Sequence, residues 1–475
     1  MRCFTSSLIL ADNRLTLQIV NAIRQHWRIS GLVLLALWGS LVAYEAACVQ
    51  PCWINEAQLL NLGRSADTPT EVDPTEQVSW LATRMLALAQ DVLPGWGGNR
   101  VFATAGAWLA IFGFFRLLRR LEVSGMRAVF ATALLYFEEA MRFQSVSGRV
   151  DHWALAGGFW SAVWFVRTGA SADREAWGFV LSGALFAMGV LSWPTAVTLG
   201  VLLVPLAMQV QLQFREGLWW VAGASVAVLA IYFVDMDVMR EGVLYYLDIA
   251  AQRTQEVQNS GLFVAWTYPG TWQWELPIVV AVVSVVAWPQ LRLSFKRDRW
   301  MTWAFVLAIG ALTAFAFATR FYPGRIVYWL PVLAVAAAWV FRAAEISKLQ
   351  KGTAWLLLVF VVGQTSHRIF SRPTSFPRSA HAQWLDVVNA AGIEPHHRVY
   401  TDDWAPLVVS EGNFIPVRAE FSIRSPEALE KLPTCDFVTV DPTRGLEEFL
   451  TNLGFSPLPI VPVILGDPVE VWQKK

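Results

Sequence analysis

The chain has 475 residues, of which 55% are hydrophobic and only 16% are charged. Soluble domains carry about a quarter charged residues, so this composition excludes an ordinary soluble protein and predicts a mainly α-helical, polytopic membrane protein. Lys and Arg together equal Asp and Glu at 37 each, and a nucleic-acid partner is not expected without an excess of positive charge. The four cysteines show neither paired zinc-ligand spacing nor a disulfide framework.

Apolar runs long enough to cross a bilayer predict about eleven membrane spans. In chain order they are Ile29–Val49, Val101–Leu118, Ala128–Phe143, Trp153–Val166, Trp177–Trp193, Thr195–Met208, Leu218–Val234, Leu276–Trp288, Trp300–Ala318, Ile326–Phe341 and Thr353–Phe370. The chain therefore divides into an N-terminal segment (1–28), a transmembrane domain (29–370) and a C-terminal soluble domain (371–475).

Basic residues set the predicted orientation, because Lys and Arg collect on the cytoplasmic side of membrane proteins. They are concentrated in one set of short loops between the spans, and those loops are assigned to the cytoplasm together with the N-terminus. An odd number of spans then places the C-terminal domain outside. The two long loops, Gln50–Asn99 and Asp235–Trp274, lie on the outer side, which is the predicted working surface.

The C-terminal domain has the composition of a soluble α/β domain. A helix is predicted at Ala380–Ala391, where Gly392 ends it. The predicted short strands and further helical stretches alternate along the rest of the domain. The strands are Arg398–Thr401, Phe414–Val417 and Phe437–Val440, and the helical stretches are Pro426–Lys431 and Thr443–Leu453.

Two acidic residues are predicted to meet at the outer end of the bundle. Glu56 follows the first span, and Asp151 precedes the fourth. Charge is seldom kept at a span mouth without a function. A Glu carboxylate is ionised at neutral pH and can accept a hydroxyl proton as a general base. The alternative interpretation is structural, with Asn55 as the N-cap of a helix and Glu56 in its first turn.

The residues beside Asp151 extend this candidate site. Asp151 is a candidate to hold a metal ion or orient a phosphate, and Arg149 is a candidate to pair with a phosphate. The alternative is that Asp151 caps the fourth span and that Arg149 lies at the headgroups. His152 is the next residue, although an isolated His at a span mouth is more typical of a hydrogen-bonded interfacial residue.

Two further charged clusters are predicted at the outer side. Glu138 and Arg142 are four residues apart, which predicts a local ion pair facing a polar cavity together with Glu139. The turn from Arg320 to Arg325 carries two guanidiniums and predicts an anion clamp, or else an interfacial anchor.

These motifs resemble those of the GT-C superfamily of membrane glycosyltransferases, and in particular bacterial relatives of the protein O-mannosyltransferases and the lipid A aminoarabinose transferases. The resemblance lies in Asn55-Glu56 in the first outer loop, Arg149-Val150-Asp151 opening the fourth span, and the Arg/Tyr-rich segment Arg320–Pro331. The segment Asn99-Arg100 at the start of the second span also resembles the family pattern. The family motif usually has Asp where this chain has Asn55, so either Glu56 takes the role of the base or ordinary activity is lost.

The resemblance implies an enzyme in the inner (plasma) membrane of a cell envelope, with its C-terminal domain periplasmic or extracellular. It would move a sugar from a polyprenyl-phosphate donor to a hydroxyl of a glycan, lipid or protein acceptor, with inversion. Glu56 would be the base and Asp151 would position the acceptor or a divalent metal ion. The implied substrate-binding residues are Asn55, Arg100, Arg149, His152, Arg320, Tyr322 and Arg325.

Two other classes stay open on the sequence alone. One is a transporter or flippase of a lipid-linked or polar solute, although such proteins concentrate ionisable residues near the midplane and are often built from repeats. The other is a catalytically silent, GT-C-like envelope protein, which stays open because Asn55 stands where the family motif usually has Asp.

Overall fold

A bundle of α-helices takes up most of the chain before residue 371. The computed structural model describes residues 28–47, 80–93, 96–146, 149–234, 272–318, 323–342, 347–371, 376–401, 406, 409–410, 419–421, 435–464 and 466–475. The bundle helices are α1 Arg28–Ala47, α2 Trp80–Val92, α3 Trp96–Arg120, α4 Gly125–Phe137, α5 Glu139–Val146, α6 Asp151–Gly169, α7 Ala176–Ser192, α8 Leu203–Val210, α9 Phe214–Val234, α10 Trp272–Arg297, α11 Arg299–Ala318, α12 Pro323–Phe341 and α13 Lys348–Phe370.

The helices have the composition of an integral membrane protein. Three of them are long and apolar enough to cross a bilayer, with mean hydropathies of 1.6 to 1.9: Arg28–Ala47, Gly97–Arg120 and Phe214–Val234. Their outward surface is apolar, since Val226 and Phe233 on α9 are 64% and 78% exposed. Each predicted span overlaps a helix, and the number that cross the membrane stays a prediction.

The third predicted span is divided into two helices. α4 ends at Phe137 and α5 begins at Glu139, because Glu138 between them adopts an extended conformation (φ −63°, ψ 138°). The Glu138 carboxylate accepts a hydrogen bond from the Ala140 amide (2.8 Å), which satisfies a donor at the start of α5. The predicted Glu138–Arg142 ion pair is therefore wrong, and Arg142 pairs with Glu139 instead.

Two glycines let α7 and α9 approach each other closely. A Cβ atom on Gly183 would lie 1.9 Å from the carbonyl oxygen of Trp220, and one on Gly223 would lie 2.0 Å from that of Val180. Because each obstacle is backbone of the facing helix, no side-chain rotation would relieve the overlap. Small residues of this kind are typical of helix contacts inside membranes, where association depends on close packing.

We expect Gly183→Ala to lower the midpoint of thermal unfolding of the detergent-solubilised protein. Overpacking a tight contact costs about 1–3 kcal/mol, and here a whole helix has to shift. Gly310→Ala is the matched control, since a Cβ on Gly310 meets no atom within 4 Å. Equal midpoints for the two variants would contradict this close contact.

The C-terminal domain is a mixed sheet with a helix on each face. Helix α14 spans Phe376–Ala391, and Gly392 follows it with φ +67°. The strands are β1 Val399–Thr401, β2 Ala419–Phe421, β3 Phe437–Val440, β4 Phe455–Pro457, β5 Val463–Ile464, β6 Asp467–Pro468 and β7 Glu470–Lys474, and α15 is Glu447–Asn452. The sheet order is β2-β1-β3-β7-β4, with β1 parallel to β2 and β3, and β7 antiparallel to β3 and β4.

Alternate residues of the strands pack on opposite faces of this sheet. Phe437 of β3 packs with Trp384 of α14, whereas Val438 packs with Leu450 of α15. The two-residue periodicity of a strand thus produces two small cores, one under each helix.

The predicted elements of this domain are partly confirmed. The strand Phe437–Val440 and the end of the helix at Ala391 are correct. The predicted helix Thr443–Leu453 is divided, because Gly445 at φ +63° separates a short 3₁₀ turn from α15. The predicted strand Phe414–Val417 and helix Pro426–Lys431 lie outside the described residues.

Candidate functional site

Several helix ends meet at one end of the bundle. Arg100 at the start of α3 donates to the carbonyl oxygens of Glu45 (3.3 Å) and Ala46 (2.9 Å) at the end of α1. Thr365 near the end of α13 donates to the carbonyl oxygen of Phe137, the last residue of α4 (2.6 Å). The starts of α6 and α12 lie in contact as well, through Asp151 and Tyr328. The side of the membrane on which these helix ends lie stays a prediction.

Asp151 is the centre of a buried polar cluster at this end. Its Oδ2 accepts a hydrogen bond from Nε of Arg149 (2.6 Å), and its Oδ1 accepts one from the hydroxyl of Tyr328 on α12 (3.1 Å). The Asp151 side chain is fully buried. The N-cap of α6 is Val150, and no side chain caps this helix. The interpretation of Asp151 as a helix cap is therefore wrong.

The cluster holds a cation against the carboxylate. The Arg149 side chain is almost completely buried and lies with its guanidinium carbon 5.7 Å from the ring centroid of Trp193. An Arg between a carboxylate and an aromatic face is held in a defined orientation. We call Arg149, Asp151 and Tyr328 the Asp151 cluster.

The His152 side chain contacts different helices from those that the Asp151 side chain contacts. Its Nε2 lies 2.8 Å from the carbonyl oxygen of Met141 and 2.9 Å from Oγ of Ser145, both on α5. Its ring stacks on Tyr136 of α4 with the centroids 5.7 Å apart. His152 thus joins α6 to α4 and α5, whereas Asp151 joins α6 to α12.

Unused hydrogen-bonding atoms are found on His152 and on one residue of each of the neighbouring helices α4 and α5. Its Nδ1, the Tyr136 hydroxyl and both amide atoms of Gln144 are buried and have no hydrogen-bond partner within the described part of the chain. More than about 90% of buried polar groups in proteins do have partners. Chemically, these atoms match water or the hydroxyl groups of a polar ligand.

The described contacts of Arg100 are with α1. The side chain is buried, and its hydrogen bonds to Glu45 and Ala46 satisfy carbonyl groups that the helix end leaves open. A guanidinium in this place also suits the negative end of the helix dipole.

The structure describes only some of the other predicted site residues. Asn55, Glu56, Arg320 and Tyr322 lie outside the described residues. Arg325 lies in the first turn of α12, three residues before Tyr328. The prediction that these residues lie beside the Asp151 cluster is not tested by the described part of the chain.

Tyr328 is the functional candidate that the sequence motifs did not identify. It follows the Arg/Tyr-rich turn and is fully buried. Helical spacing could have identified Tyr328 from the sequence. Arg325 is a predicted site residue, and residues three apart lie on the same side of a helix.

A metal site is not formed by the described residues alone. Among them there is no group of three or more His, Cys, Asp or Glu side chains placed to hold an ion. Both carboxylate oxygens of Asp151 are already engaged with Arg149 and Tyr328. The divalent ion expected at Asp151 stays a prediction.

Comparison with known proteins identifies the fold. No protein-family model matches the sequence, and no curated protein sequence matches it significantly. The structure is similar to the crystal structure of ArnT from Cupriavidus metallidurans bound to undecaprenyl phosphate, with a TM-score of 0.57 and 14% sequence identity over 94% of this chain and 98% of that chain. The chain therefore shares the fold of ArnT over most of its length.

The structure is also similar to an archaeal enzyme. The oligosaccharyltransferase AglB from Archaeoglobus fulgidus, in complex with an inhibitory peptide and a dolichol-phosphate, has a TM-score of 0.46 and 11% identity. The match covers 86% of this chain and 69% of that one.

Proposed function

We propose that this protein is a membrane glycosyltransferase that moves a sugar from a polyprenyl-phosphate donor to an acceptor hydroxyl. The observation that carries the proposal is the Asp151 cluster, a buried carboxylate and guanidinium at one end of a bundle with the ArnT fold. The crystal structure of ArnT contains undecaprenyl phosphate, which is the type of donor carrier proposed for this chain.

The proposed reaction is a single displacement at the anomeric carbon of the sugar. The acceptor oxygen forms a bond to that carbon while the bond from the carbon to the phosphate oxygen breaks, and the configuration inverts. The phosphate leaves as an anion, so no general acid is needed. The acceptor proton passes to the Glu56 carboxylate as general base.

The remaining residues hold the reactants in place. Asp151 orients the acceptor, and Arg149, Arg320 and Arg325 are the proposed contacts of the donor phosphate, since guanidiniums pair with phosphate through charge-assisted hydrogen bonds. The unused polar atoms of Tyr136, Gln144 and His152 have hydrogen-bonding capacity left for hydroxyl-bearing ligands. Long apolar helices supply surface for the isoprenoid chain.

The test is a transfer assay with the full-length protein in lipid nanodiscs. Undecaprenyl-phosphate carriers of several labelled sugars are incubated with membrane lipid, glycan and protein fractions as acceptors. We expect label on one acceptor class and release of undecaprenyl phosphate. Folded protein that releases no carrier with any donor would contradict the proposal. Movement of intact donor between the leaflets of proteoliposomes without transfer would favour the flippase alternative.

Tyr328→Phe is expected to lower kcat by about 10- to 100-fold, because a hydrogen bond to a charged group is worth about 1.5–3 kcal/mol and about 1.4 kcal/mol corresponds to tenfold. The variant removes only the hydroxyl that donates to Asp151 Oδ1. Steady-state kinetics of donor consumption provide the measurement. Tyr232→Phe on α9 is the matched control, since Tyr232 belongs to a helix that does not carry the cluster. A Tyr328→Phe enzyme as fast as this control would contradict the role of the hydroxyl.

A further inference from the structure

A short, wholly buried helix lies between the Asp151 cluster and a network of buried charges. All eight residues of α5, Glu139–Val146, are buried, including Glu139 and Arg142. A helix of this length does not persist by its own propensity. Its position is therefore determined by the contacts that it makes with its neighbours.

One side of α5 is tied to the first and last helices of the bundle by ion pairs. Arg142 pairs with Glu45 of α1 and, at 2.6 Å, with Oε1 of Glu139. Nη1 of Arg368 on α13 lies 3.6 Å from Oε2 of Glu139. We call Glu45, Glu139, Arg142 and Arg368 the α5 charge network. Its two carboxylates balance its two guanidiniums.

The charges of this network suggest a role other than stability. A buried ion pair often contributes little net stability, because desolvation offsets the Coulombic attraction, but it can specify one arrangement of the elements that it joins. Arg142 is suited to this, because its planar fork engages carboxylates of two different helices in fixed directions.

The other contacts of α5 lead to the Asp151 cluster. The Met141 carbonyl and the Ser145 hydroxyl hold Nε2 of His152, the residue next to Asp151. Only residues 147–150 separate the end of α5 from the start of α6. A displacement of α5 therefore shifts both the beginning of α6 and the carboxylate that it carries.

We propose that Arg142 is a positioning residue of the site: through Glu45 and Glu139 it fixes α5, and through His152 it fixes the Asp151 carboxylate against Arg149 and Tyr328. This inference rests on the proposed function. Arg142 itself contacts Asp151 in none of the described interactions, so its effect is transmitted by α5.

The test compares Arg142→Lys with a matched change at the far end of the bundle. Lys keeps the positive charge but lacks the planar guanidinium, so it cannot donate to the carboxylates of Glu45 and Glu139 in the same two directions. The control is Arg174→Lys, since Arg174 also joins two elements through an ion pair (2.9 Å to Oε1 of Glu216). It follows the end of α6, about 28 Å along the helix from Asp151 at 1.5 Å per residue.

We expect Arg142→Lys to lower kcat per folded protein by about 10-fold or more, the size of effect that a misplaced reacting group produces, while the donor KM changes less than about threefold. Arg174→Lys should retain wild-type kcat. Glu45→Gln provides a second variant, which should show the same loss of kcat with an unchanged donor KM.

The possible results separate this inference from the function on which it rests. If the wild type transfers sugar and Arg142→Lys and Glu45→Gln match the Arg174→Lys control, the positioning role is wrong and the proposed function stands. If both variants fail to fold, the network is structural and the inference is overturned. Absence of transfer by the folded wild type overturns both.

Discussion

Asp151→Asn is expected to reduce sugar transfer by about 100-fold or more. The Asn side chain keeps the volume and still accepts the hydrogen bond from Tyr328, but it removes the charge that compensates Arg149. Without this charge Arg149 and the acceptor are no longer held in place, and a misplacement of about 1 Å at a reacting centre costs about 100-fold in rate. Single-turnover transfer from a labelled donor provides the measurement.

A matched control separates this effect from a general loss of stability. Asp298 pairs with Arg342 at 3.0 Å where α10 meets α11, and α11 extends about 30 Å from there at 1.5 Å per residue. Asp298→Asn makes the same chemical change at an ion pair remote from the cluster and should keep wild-type transfer. The midpoint of thermal unfolding is measured for both variants. If Asp151→Asn transfers as fast as the control, Asp151 has no place in the reaction.

Glu56→Gln is expected to abolish transfer while leaving donor binding intact. Gln has nearly the same shape as Glu but cannot accept the acceptor proton, and general-base catalysis contributes about 10²–10⁴-fold to a rate. Binding of the donor by the variant is measured separately by native mass spectrometry.

Two further variants test this assignment. Glu71→Gln changes another carboxylate of the same long loop and should have no effect on transfer. Asn55→Asp restores the residue type that the family motif usually has, and it should rescue transfer in the Glu56→Gln background if the two positions share one pocket. Full activity of Glu56→Gln on its own would mean that another group is the base.

The helical architecture could be predicted because apolar runs of bilayer length are a local property of the sequence. The division at Glu138 could not, because it depends on a carboxylate that folds back to the Ala140 amide rather than continuing the helix. Glu45 lies inside the first apolar run, and its partner Arg142 is 97 residues away in the sequence. No local pattern reports a pairing at that distance.

The candidate site was predicted in part. Arg149 and Asp151 were singled out from the sequence as candidate phosphate and metal contacts, and the structure shows that they also pair with each other, which was not predicted. Tyr328 is 177 residues from Asp151 and reaches it only because α6 and α12 begin at the same end of the bundle. In the C-terminal domain, the strands after Gly454 are two to five residues long and interrupted by prolines, so period-two alternation was too brief to read.

In the proposed reaction, one end of the bundle gathers Glu56 and the Asp151 cluster around a lipid-borne sugar phosphate. The most direct test is a cryo-electron microscopy structure of the full-length protein with a non-transferable phosphonate analogue of an undecaprenyl-phosphate sugar. We predict the phosphonate beside Arg149 and the Glu56 carboxylate within about 3 Å of the acceptor oxygen position. An analogue bound at the opposite end, near Arg174, or a Glu56 carboxylate directed away from the sugar would contradict the account.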